Sequence, residues 1–158
     1  MTIQMAESAE KSLDRFLDRF TPEVAGLARK ALVKLRKWLP HAIELVYDNY
    51  NALAIGFAPG ERASEGIFSV AVYPTHILFF FLQGAKLPDP DGLLLGGGSV
   101  VRHIRLEDEK TLDRADVKAM MATAMEIAKV PFDEKMKHRL VIKSVSAKQR
   151  PRRPKGWE

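Results

Sequence analysis

The stretch IELVYDNYNALAIGF, residues 43–57, decides the fold. Its halves, residues 43–47 and 52–57, are short apolar runs that read as strands. Asp48-Asn49-Tyr50-Asn51 between them has turn chemistry, because Asn and Asp side chains bond their own backbone and tolerate turn conformations. In the second run Leu53, Ile55 and Phe57 alternate with Ala54 and Gly56. One strand face is bulky and the other small, and a Gly in a strand often marks close approach by another group.

Upstream, Leu13, Phe16, Leu17 and Phe20 share one stripe of a helix predicted over residues 10–20. Thr21-Pro22 restarts the chain as an N-cap followed by a proline at the first helical position. A second helix then runs to about Leu39, with Val24, Leu27, Ala28, Ala31, Leu32, Leu35 and Trp38 as its stripe. Pro40 ends it, because the residue before a proline is pushed out of the α region.

Downstream, strands are expected over residues 67–73, 77–83 and 100–106. The run 77–82 is apolar at consecutive positions, which predicts burial on both faces. Residues 85–99, with Pro88, Pro90 and Gly96-Gly97-Gly98, read as irregular. A third long helix covers residues 113–129, with Val117, Met120, Met121, Ala124, Met125 and Ala128 as its stripe. A last strand is expected over residues 139–145. Clustered strands flanked by helices give an α+β class with a mostly antiparallel sheet of five to six strands and helices on one face. Residues 1–145 are expected to form one domain. Residues 146–158, with Pro151, Pro154 and many cations, are expected to be a basic, disordered tail.

Composition narrows the function. The 158 residues suffice for one core. The absence of cysteine excludes disulfides, thiolate metal sites and a cysteine nucleophile. The net charge of +5 sits entirely at the end, since six of the 25 basic residues but only one of the 20 acids fall in residues 143–158. No apolar run approaches the roughly 20 residues that a membrane helix needs. No secretory leader is visible in residues 1–11. The sequence thus reads as cytoplasmic, with no membrane partner.

The segments Val46-Tyr-Asp-Asn-Tyr-Asn-Ala-Leu53, Phe79-Phe-Phe-Leu-Gln-Gly84 and Val101-Arg-His-Ile104 resemble the YdhG-like family, a domain of unknown function numbered 1801. The likeness covers about residues 23–125. It implies a two-layer α/β sandwich, loosely frataxin-like, and through such relatives an iron-chaperone role. It does not reach the basic tail.

The residues themselves suggest a small-ligand pocket beside the small strand face, built from Tyr47, Asp48, Tyr50, Tyr73 and Arg102. Arg102 shares parity with Val100, Ile104 and Leu106, which aims it inward, where a guanidinium needs an acceptor. Asp48 or a bound carboxylate or phosphate would serve. Gly96-Gly97-Gly98-Ser99 lacks the Lys-Ser/Thr of a P-loop and reads as a loop or lid. His41, His76, His103 and His138 show no metal-ligand spacing. Glu7, Glu10, Asp14 and Asp18 line one helix edge, where iron is conceivable, but Lys11, Arg15 and Arg19 run beside them. No nucleophile motif is present, so neither catalysis nor a cofactor is expected. Lys148, Arg150, Arg152, Arg153 and Lys155, with Trp157 for stacking, offer weak nucleic-acid binding as an alternative. The other prospects for this end are a solubilising disordered segment or one that folds back on its own domain. The doubly apolar fourth strand suggests a homodimer.

Overall fold

The computed structural model describes residues 7–156. Three helices lie on one side of a six-stranded sheet: α1 (Ala9–Asp18), α2 (Pro22–Trp38) and α3 (Ala115–Ile127). The strands are β1 (Ile43–Asp48), β2 (Leu53–Ala58), β3 (Phe68–Val72), β4 (Ile77–Phe81), β5 (Arg102–Arg105) and β6 (Arg139–Val145). Their order across the sheet is β5-β4-β3-β2-β1-β6. Neighbours are antiparallel except β6, which runs parallel to β1 with a register shift between Val46 and Tyr47. This is the α+β, two-layer architecture expected from the order of the elements.

Local chemistry sets the helix ends. Ser8 accepts from the Lys11 amide at 3.2 Å, and Thr21 accepts from the Val24 amide at 3.3 Å with Pro22 directly behind it. Each cap satisfies a backbone donor that has no partner inside the helix. An Asp108–Thr111 capping box opens a 3-10 turn at Glu109–Asp113 that leads into α3.

The core lies between helices and sheet. Leu13, Phe16 and Leu17 from α1, Ala28, Leu32 and Leu35 from α2, and Val117 and Met121 from α3 meet one strand face. That face carries Val46, Ile55, Phe57, Phe68, Val70, Phe79, Phe81 and Ile104. Phe68, Phe79 and Phe81 form an aromatic knot with ring centroids 5.2–5.8 Å apart. Gly84 follows β4, where a Cβ would lie 2.5 Å from the Cβ of Arg102, so only glycine lets the chain pass β5 this closely.

Two expectations are corrected here. The strand β4 is not buried on both faces: Ile77, Phe79 and Phe81 are buried, whereas Leu78 and Phe80 are half-exposed on the side away from the helices. The basic end, through residue 156, is not a free tail. Residues 146–153 fold back along the β1–β2 turn. The Ser146 amide donates to the Asp48 carbonyl and the Arg150 amide to the Tyr50 carbonyl, each at 2.9 Å. Composition pointed to disorder; specific acceptors on the body outweigh it. Trp157 lies outside the described residues.

Candidate functional site

Where the helices cover one face of the sheet, the other face holds a groove. Asp48-Asn49-Tyr50-Asn51 leaves β1 as a turn closed by the Asn49 amide bonding the Ala52 carbonyl at 3.0 Å. The turn sets Asn49, Tyr50 and Asn51 along one rim. The side chains of β2 and β3 alternate, so Ala54, Ser69 and Ala71 fall together on the open face. They form a floor of small side chains. Tyr73, Phe80, Leu82, Val101 and Ser146 complete its lining. The hollow is an open trough of about 590 Å³.

Flat groups pave this face. The Tyr73 and His76 rings stack with centroids 4.7 Å apart and planes 4° from parallel. Phe80 meets His103 at 5.2 Å. The Arg150 guanidinium lies over the Tyr50 ring at 5.6 Å. Burial holds the His76 imidazole below the usual histidine range, and the nearby Arg105 adds to the depression.

The site residues expected from sequence divide between two places. Tyr50 and Tyr73 line the groove. Tyr47 shares their face, opposite Ala54, but packs toward Met136 and Val141 beside Ile43 and Leu45. Asp48 points to the helix side and is 1% exposed. Its carboxylate takes a hydrogen bond from Arg152 Nη2 at 2.8 Å, with Arg19 at 3.7 Å. Arg152 is itself 3% exposed and lies over Phe20 at 5.7 Å. The same Nη2 also bonds the Asn49 carbonyl, and Gln149 Nε2 donates to the Asp48 carbonyl at 2.9 Å.

Arg102 never meets Asp48, which corrects the expected pair. Its strand is separated from β1 by three others, a span of roughly 19 Å at the usual strand spacing. Parity does place Arg102 on the helix side with Ile104. However, it is the first residue of β5, at the sheet margin, and it turns back onto the triple-glycine loop. It donates to the carbonyl of Val101 at 2.8 Å and to that of Gly98.

A second buried carboxylate escaped sequence reading. Glu44 is fully buried on β1 and is held by Arg36 through Nε at 2.7 Å and Nη2 at 2.9 Å, and by His138 Nε2. Burial works against the charge on Arg36, yet the bonds to Glu44, with Glu10 nearby, raise its pKa. Glu44 and Asp48 share the helix-side face of β1. Each is tied to chain that follows α3, so the two fasten that chain to β1, next to the sheet edge.

The basic residues have mixed employment. Arg152 is the buried partner of Asp48. Arg153 donates to the Arg19 and Asp18 carbonyls at 3.1 and 3.2 Å, capping the C-terminal end of α1. Lys148, Arg150 and Lys155 form no ion pair among the described residues. Along α1, Glu7 pairs with Arg15 at 3.0 Å, Asp14 and Asp18 with Arg29 at 2.7 and 2.8 Å, and Glu10 with Arg36 at 3.5 Å. Most of the neutralising cations come from α2 and not from α1 itself. Among the described residues no three His, Cys, Asp or Glu side chains gather as metal ligands, and no helix is long and apolar enough to cross a membrane.

Comparison with known proteins found no matching family model, no matching curated protein and no matching solved structure.

Proposed function

We propose that this chain is a non-catalytic binding domain that takes a small, flat, polar ligand in the trough on its open sheet face. The observation that carries this is the trough itself: a floor of Ala54, Ser69 and Ala71 lined by Tyr50, Tyr73 and Phe80. Aromatic walls with a few hydrogen-bonding groups on the rim are the usual make-up of small-molecule sites. Asn49, Asn51, Ser69 and Ser146 supply those groups. The likeness of residues 23–125 to the YdhG-like family accords with a two-layer sandwich and names no reaction. A chain without cysteine suits a reducing compartment, and this reading puts its work in the cytoplasm.

The test is the thermal midpoint of wild type and Ala54→Trp across a panel of planar polar metabolites. Ala54 is half-exposed on the floor, so an indole there fills the trough without entering the core. Stabilisation of wild type by at least one compound, lost in the variant, is expected. No response by wild type, or an equal response by both, overturns the reading.

A further inference from the structure

The open face combines two features. One is a row of flat side chains: Tyr50 under Arg150, Tyr73 against His76, and Phe80 against His103. The other is uncompensated positive charge beside them. The excess charge of the chain lies in its last residues, and these fold back against the turn that bears Tyr50. Arg152 and Arg153 are consumed by Asp48 and by the end of α1. Lys148 and Arg150 remain without a carboxylate, and Arg150 sits on the tyrosine at the rim of the trough. The trough is lined by no charged side chain. A ligand that suits the whole surface has a flat, polar, neutral part for the trough and a negative part for the rim.

We infer that the trough and the folded-back basic strap together bind nucleobases joined to phosphate, with a base against Tyr50, Tyr73 or Phe80 and the phosphate at Arg150. This rests on the reading of the trough as the ligand site. Base stacking on aromatic side chains tolerates any base, because every base has a π face. Phosphate contacts add a salt-sensitive attraction without sequence choice. Helices close the opposite face, so an extended single strand would lie on this side, beyond the patch where Ile43, Leu45 and Ala58 are already buried. A duplex hides its bases and gains only the charge.

The test is fluorescence anisotropy of a labelled short oligothymidylate with the full chain, at several salt concentrations. Binding that weakens with salt is expected. Tyr50→Ala and Tyr73→Ala should each weaken it about tenfold or more at unchanged salt dependence. Arg150→Ala should weaken it and lower the salt slope by about one. Competition with thymidine monophosphate separates the two sources of the ligand: full competition identifies a free nucleotide, poor competition a strand. Both keep the inference. Competition by polyphosphate as strong as by the oligonucleotide, with tyrosine variants binding like wild type, reduces the surface to bare charge and overturns it. Absence of binding overturns it too. If the oligonucleotide is not bound while the metabolite response is still abolished by Ala54→Trp, the trough survives as a site and only its nucleotide assignment fails.

Discussion

On the helix side of the sheet the strands present Phe57, Phe68, Phe79 and Phe81, all fully buried; on the other side the same strands present Gly56, Ser69, Leu78 and Phe80. The first set interlocks with three helices. The second is faced by no helix, and a shallow hollow runs through it. Most of the core therefore lies on one face; the other buries only the smaller cluster of Ile43, Leu45 and Ala58, which leaves the trough over β2 and β3 free to vary in shape and chemistry. A functional surface on the second face can tolerate side chains that would be ruinous on the first.

The largest expected effect comes from cutting the buried side. Phe79→Ala should destabilise the fold by about 4 kcal/mol, because it removes the centre of the aromatic knot and leaves a cavity. Its neighbour Phe80→Ala should cost less than about half as much. Urea unfolding of the pair measures the contrast directly, and equal losses would mean that the open face is packed as tightly as the covered one.

Next in size is the Asp48–Arg152 pair. Arg152→Ala leaves the buried Asp48 carboxylate with only the longer 3.7 Å contact to Arg19, so it should cost about 3 kcal/mol. Replacing both, Asp48→Leu with Arg152→Met, should recover much of that loss. The same unfolding curves decide it. A wild-type-like Arg152→Ala would mean that the strap contributes nothing to the body.

A smaller effect is expected on the open face. Tyr73→Ala, half-exposed, should shift stability by under about 1 kcal/mol, within the range of surface changes. Ligand response, not the unfolding midpoint, is where this variant should differ from wild type.

The smallest effect is that of His76. Its folded-state pKa lies below the unfolded value, so the unfolded chain binds the proton more readily. Stability is then complete above the usual histidine pKa, falls as pH drops through it, and levels off below the folded value. The His76→Phe variant should lose that portion of the pH dependence when midpoints are followed from pH 8 to pH 5.

How much of this was legible follows from the range of each interaction. The helices and strands were readable because their signals are local. The α2 stripe repeats at helical spacing, Thr21-Pro22 marks its start, and residues 43–57 carry strand, turn and strand in succession. The floor of the trough was half-readable: the small alternation at Ala54 and Gly56 shows in β2, but Ser69 and Ala71 join it only once β3 has paired. Arg102 was placed on the correct face and in the wrong company, since parity gives a side and not a neighbour. The partner of Asp48 is 104 residues away, and no spacing rule reaches it. Pro151 and Pro154, which suggest disorder by composition, flank the buried Arg152 on a strap that the body holds.

That distance has a consequence for the order of synthesis. The turn containing Asp48 is made 104 residues before Arg152. Until Arg152 is available, closing the sheet around Asp48 would bury a carboxylate whose remaining cation is Arg19, at 3.7 Å. The final arrangement is thus reserved for chains translated past Arg152. A shortened product lacking Arg152 would hold an open, hydrated corner, easily told from the finished protein by proteases that sample local opening.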